Sequence, residues 1–161
     1  MAEFDPTTPA MRLFDEIDLA PAPQTTVLQR VLNTWREERG DELLPSVTAM
    51  QSNIASAVTN NIFMFAPSSD NKDLSLSGAG RRAMELFGCE AAGAQLSQFT
   101  DRRVAVYARH VFELARRRRE AVCVRFTLRP HGEQATAYEM LAAPVSKGDE
   151  PDWIFGAVAA L

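Results

Sequence analysis

A chain of 161 residues is long enough for one domain with a real core and too short for two ordinary ones. Its 46% hydrophobic and 24% charged residues place it among globular proteins and exclude the disordered class, which lacks the apolar surface to offset chain entropy. A formal net charge of -4 and a pI near 5.2 leave no overall positive field, which argues against nucleic acid or anionic lipid as the main partner.

Residues 1–24, with Pro6, Pro9, Pro21 and Pro23, show little periodicity beyond Met11, Leu13, Phe14 and Ile17 and read as a mobile N-terminal arm. The acidic, proline-broken start has neither the basic residues nor the apolar run of a signal peptide. A single domain is expected over 25–161. It opens with an amphipathic helix over 25–40, in which Val27, Leu28, Val31, Leu32 and Trp35 recur at helical spacing. Thr25 or Thr26 can cap its start and Gly40 stands where it stops. Met50, Ile54 and Val58, four apart, suggest a second helix over Thr48 to Asn60.

From Asn61 the period shortens to that of strands. "NIFMFA", the turn-forming "PSSDNKD" and the alternation of Leu74 and Leu76 with Ser75 and Ser77 give two strands, expected as a hairpin. Ala79 to Phe87 is helical, with Met84 and Phe87 on one side. The longest helix runs from about Asp101 to Arg119, with Val104, Tyr107, Ala108, Val111, Leu114 and Ala115 on one face. Three strands close the chain: Val122 to Leu128, Thr136 to Val145 and Trp153 to Ala160. The order gives an α+β domain built on a five-stranded antiparallel sheet.

Three local motifs accompany this order. Trp35, Arg39, Gly40, Leu44, Pro45 and Ser46 follow one another at the end of the first helix. Gly78, Leu86, Phe87, Gly88, Glu90 and Gly93 punctuate the passage from strand to helix, and "WIFGAVAAL" closes the chain. Together they resemble a PAS domain of the compact stand-alone bacterial type common in alphaproteobacteria, over about Val27 to Leu161. The resemblance implies a five-stranded sheet with flanking helices, and signalling through a cavity ligand, a dimer rearrangement or docking to another protein such as a kinase. With no effector motif in the chain, the output is expected in trans.

Catalysis needs a nucleophile with its base, paired acids in a cleft or a metal set. Two histidines, His110 and His131, are too few for a histidine-based triad or a multi-histidine metal site. Cys89 and Cys123 stand 34 positions apart without a CxxC pair, and both are expected as buried reduced thiols in a cytoplasmic protein. "GAGRRA" is a fragment of a dinucleotide motif without its βαβ setting. The chain is expected not to be an enzyme.

Within the resemblance, flavin-binding light sensors carry an Asn-Cys-Arg-Phe core that "FGCEAAG" around Cys89 lacks. Some haem-binding members use a histidine on the long helix, where His110 lies. At 100° per residue His110 falls about 120° from the centre of the apolar stripe, facing away from the interior. Neither cofactor is expected. Met84, Phe87, Leu96, Phe99, Tyr107, Val111, Val124, Phe126 and Met140 would line the space between helices and sheet, either as packed core or around a small apolar ligand. Arg116 to Arg119 can meet the unpaired carbonyls at a helix C-terminus or contact nucleic acid, and the first is preferred.

The expected function is a cytoplasmic sensory or interaction module acting on a signalling partner. The alternative is a small-molecule-binding or hydrolytic domain of the cone-like α+β kind, with paired acid and base on its concave face. The wide stripe Val27, Leu28, Val31, Leu32 and Trp35 either covers the sheet or pairs with a second chain, and a homodimer through it is expected.

Overall fold

A computed structural model describes residues 17–40, 43–68, 73–87, 93–99, 102–128 and 134–161. In chain order these form β1 (Ile17–Ala20), α1 (Thr26–Glu38), α2 (Val47–Asn53), a 3-10 helix (Ser56–Asn61), β2 (Ile62–Pro67), β3 (Leu74–Ala79) and α3 (Arg81–Phe87). A second 3-10 helix (Leu96–Gln98), α4 (Arg102–Arg118), β4 (Val122–Leu128), β5 (Thr136–Lys147) and β6 (Glu150–Ala160) follow. Among the described residues the strands make one antiparallel sheet in the order β1-β4-β5-β6-β2-β3.

The sheet is a middle layer. On its inner face Phe63, Phe65, Val124, Phe126, Met140 and Ile154 pack with α3 and α4. On its outer face Met64, Leu141, Ala143, Val145, Trp153 and Phe155 pack with α1 and α2. Strands buried on both faces lose the alternation of a half-exposed strand, and β5 is buried without a break from Glu139 to Val145. Lys147 pairs with Glu150 across the two-residue turn Gly148-Asp149, with Gly148 at φ 60°. The last two strands are therefore longer than the composition of "SKGDEPD" suggests.

The sheet has six strands where five are expected. The sixth is Ile17–Ala20, within the segment read as an arm, and it pairs with β4 from Ile17 opposite Phe126 to Ala20 opposite Cys123. Four residues are too few to show a period, and their partner lies a hundred positions away.

The first helix ends at Glu38, with Arg39 already extended at φ -71° and ψ 123°. Gly40 takes no left-handed conformation and a Cβ there would meet ordinary space, so it is not the stop signal expected. The expected second helix is divided, because Ile54 and Ala55 are extended and the chain resumes as a 3-10 turn whose Asn61 side chain donates to the Val158 carbonyl at 2.8 Å. α3 starts two residues late, since strand pairing persists to Ala79 and the Gly80 amide still donates to the Ile62 carbonyl at 2.7 Å.

Two glycines are fixed by close approach. A Cβ on Gly80 would overlap the Thr59 carbonyl, and one on Gly156 would overlap both the Leu141 carbonyl and the Phe63 ring. Gly78, the glycine of the second motif, has open space around it. Gly156→Ala is expected to lower stability by about 1–3 kcal/mol through overpacking, and Gly78→Ala to leave it unchanged, as read by thermal or urea denaturation. Equal midpoints for the two variants would contradict this packing.

Candidate functional site

The sequence places its candidate ligand residues between the helices and the inner face of the sheet. Phe87, Leu96, Phe99, Tyr107, Val111, Val124, Phe126 and Met140 do lie there, all buried in one cluster. Met84 does not join them. α3 turns Ala83 and Phe87, four apart, inward, which leaves Met84 about 100° round the helix and half-buried.

The centre of that cluster is a set of rings that includes Phe63, Phe65 and Phe112, which sequence reasoning did not single out. Phe63 and Phe65 each meet Phe87 edge to face, with centroids 5.2 and 5.5 Å apart, and Phe65 lies 4.9 Å from Phe112. The alternation Phe63, Met64, Phe65 was the available signal, because one face of a strand takes every second residue. Beside the rings a cavity of about 10 Å³ is lined by Leu86, Phe87, Val104, Tyr107, Ala108, Phe126 and Met140. It compares with about one water molecule, and with about 300–1,000 Å³ for small-molecule sites. Among the described residues the rings and their neighbours pack closely at this point.

The outer face is organised by polar contacts to β5. Glu139 is fully buried and its carboxylate accepts from the Gln24 and Thr25 amides at 2.7 and 2.8 Å and from the Thr25 hydroxyl at 2.7 Å. The same hydroxyl accepts from the Leu28 amide at 3.3 Å, so Thr25 caps α1 while held by the sheet. Arg125 Nε stands 3.7 Å from Glu139, and the Cys123 thiol donates to it at 3.9 Å. Burial raises the carboxyl pKa, but the bonds from Thr25 and Gln24 and the charge of Arg125 outweigh it, and the net pKa is lowered. Burial first, then the Glu139 charge, push the Cys123 thiol up to about 12, so Cys123 is an inert core thiol.

At its other end α1 is fixed by Trp35. Ala142 is the last β5 residue paired with β4, and Pro144, beyond it, has no N–H to offer a ladder. Trp35 Nε1 donates to the Pro144 carbonyl at 2.9 Å, and the Ser146 amide donates to the Pro45 carbonyl at 3.0 Å. Trp35 and the Pro45-Ser46 step thus take over the β5 edge where β4 stops. Ser46 also caps α2 by accepting from the Ala49 amide at 3.0 Å. Arg39 lies over the Trp35 ring at 5.0 Å and pairs with Glu120 at 2.8 Å.

This arrangement decides the fate of the expected dimer stripe. Leu28, Val31, Leu32 and Trp35 are buried against the sheet of their own chain, and Val27 is half-buried. A homodimer that keeps this fold must use other surface.

A second polar staple holds the inner layer. Asp73 accepts from the Ser97 hydroxyl at 2.6 Å, the Leu74 amide at 2.8 Å and Arg109 at 2.8 Å, which ties β3, the second 3-10 helix and α4 together. Partial burial raises its pKa, and these three partners outweigh that and lower it.

His110 is exposed on α4. Arg116 pairs with Asp152 at 3.6 Å, Arg117 to Arg119 are exposed, and Arg119 closes the helix in the left-handed region at φ 54°. Cys89, His131, Gly88 and Glu90 lie outside the described residues.

A family model described as a PAS domain matches residues 24–159. Among solved structures the chain is similar to a LOV protein of Rhodobacter sphaeroides, with 10% identity, a TM-score of 0.44, and 84% of this chain and 66% of that one covered. It is also similar to an RNA-binding light-oxygen-voltage receptor, with 17% identity, a TM-score of 0.44, and 76% of this chain and 35% of that one covered. The chain thus spans about two thirds of the first and about a third of the second. No curated protein matches.

The folded-state pKa of Glu139 lies below its unfolded value, so its stabilisation is present above the unfolded value and is lost as pH falls through the folded one. Glu139→Gln is expected to cost about 1–3 kcal/mol at neutral pH by leaving the Gln24 and Thr25 amides before α1 poorly paired, and to flatten the loss of stability on acidification. Urea titrations at several pH values read both effects. Trp35→Phe, which keeps the ring but orphans the Pro144 carbonyl, is expected to cost about 1–3 kcal/mol at any pH. A parallel offset between its stability-pH curve and that of the wild type is the diagnostic result.

Proposed function

The chain belongs to the PAS-domain family, and on that premise we propose that it is a non-catalytic cytoplasmic sensory and interaction module that acts in trans on a signalling partner. The family match over residues 24–159 carries this reading. It takes in α1, both layers of helices and every strand but β1.

The chemistry of the faces supports a role without catalysis. The inner face of the sheet presents phenylalanine, valine and methionine where a cone-like hydrolase would need a paired acid and base. Glu139 and Asp73 are both occupied in holding backbone amides and arginines. Among the described residues no helix is long and apolar enough to cross a membrane. The close packing of the described inner residues supports a signal read through the surface. A small apolar ligand would have to displace side chains around the cavity beside Tyr107 and Phe126. A homodimer belongs to the proposal through surface other than the buried face of α1.

Native mass spectrometry and an absorption spectrum of freshly purified protein test the proposal, together with crosslinking of tagged protein in its own cells. The expected results are a dimer mass without retained chromophore and capture of a kinase or regulator. Recovery of the protein with itself alone would refute action in trans, and a visible absorption band that survives dialysis would show a cofactor-bearing sensor instead.

A further inference from the structure

On the outer side of the sheet, the cover that α1 and α2 give to β5 and β6 runs out toward the edge strand β3. Phe155, Met64 and Gly78 are register partners across β6, β2 and β3, so they form one row on that face. Along the outer end of the row an open groove of about 430 Å³ lies between α2, the first 3-10 helix and the strands β2 and β3. Ile54, Ile62, Met64, Ala79 and Phe155 give it apolar walls, and the exposed Gln51 and Asn60 stand at its rim. None of the residues lining it carries a charge.

Gly78 is the floor of this groove, and nothing in the described fold calls for a glycine there. Its backbone is outside the left-handed region, unlike that of Gly93 and Gly148, so the bulge between β2 and β3 at this point does not demand it. A Cβ on Gly78 would meet nothing within 4 Å, whereas one on Gly80 would overlap the Thr59 carbonyl. A glycine inside a strand gives up more chain entropy than any other residue and packs against nothing. Its place is accounted for when another group comes close to the backbone.

We propose that this groove binds an uncharged, flat, largely apolar ring molecule, one face lying on the Gly78 backbone and Met64, its edge against Ile54, Ile62 and Phe155. A bare strand backbone admits a flat face that a side chain would hold off. The volume falls within the range of about 300–1,000 Å³ usual for small-molecule sites. An ionised molecule would find no opposite charge among the lining residues to offset its desolvation. The carboxamides of Gln51 and Asn60 each donate and accept, so one polar group on the ring finds a partner at the rim. The groove lies across the sheet from the Phe63 and Phe65 rings, and filling it displaces none of the inner side chains. The inference goes beyond the sensory reading and does not require it: a chain without a partner in trans could still hold such a molecule.

Indole is the probe, with indole-3-acetate as the same ring carrying a charge and cyclooctanol as an uncharged apolar ring that is not flat. In amide NMR spectra of the full chain, indole is expected to shift the signals of Ile54, Asn60, Met64, Gly78 and Ala79, while the other two compounds leave them in place. Gly78→Leu, whose side chain rises into the groove, should bind indole about ten-fold more weakly, with its fold intact by circular dichroism. If that variant does not fold, Gly78→Ala decides, and its single methyl should weaken binding by about three-fold. Undisturbed signals with indole, an equal response to either control, undiminished binding by the folded Gly78 variant, or shifts centred on α3 and α4 would each overturn the proposal. So would a lower mass for Gly78→Leu than for the wild type by light scattering, which would seat a second copy in the groove. Nuclear Overhauser contacts from residues 1–16 to Gly78 in the free chain would seat the chain's own start there and overturn it equally.

Discussion

A carboxylate with no exposed surface survives in the middle of a sheet only when donors surround it, and Glu139 has two backbone amides, a hydroxyl and a thiol, with the Arg125 charge 3.7 Å away. Those donors come from the start of α1, from β4 and from the segment before the helix. One side chain therefore fixes where α1 begins, and α1 in turn determines whether the outer face of the sheet is wet or dry. β5 and β6 carry apolar residues on both faces, so without that helix Leu141, Val145, Trp153 and Phe155 would face water. The hydrogen bond from Trp35 to Pro144 completes the attachment at the far end.

The two faces of the sheet are consequently unlike. The inner face closes on stacked and edge-to-face rings, while the outer face is held by a few directed polar contacts. Close-packed rings resist small displacements. A helix held at its start by a carboxylate and near its end by an indole has discrete attachments that a neighbouring charge can strengthen or weaken.

Much of this was legible in the sequence. The stripe from Leu28 to Trp35 is periodic over about two turns, and the alternation from Val122 to Leu128 is regular, so both elements stand where expected. What escaped was whatever depends on a distant partner. β1 has four residues and owes its existence to β4. Glu139 looks like the exposed position of an alternating strand, and only the approach of Thr25, 114 positions away in the chain, buries it. Gly80 and Gly78 look alike in sequence, and only the approach of the Thr59 and Asn60 backbone separates them. The stripe on α1 reads the same whether its cover is a second chain or its own sheet, and apolar content cannot tell a filled interior from a hollow one.

The separation between Thr25 and Glu139 bears on how the chain is made. A ribosome extends a chain at about 5–20 residues per second, so the apolar face of α1 waits roughly 6–23 s for β5 to be synthesised. The sheet order lengthens the wait, because β2 takes its place beside β6, the last strand to appear. Early products are then a helix and a strand pair without covers, a form of high contact order exposed to aggregation and to chaperones until the last hairpin is complete.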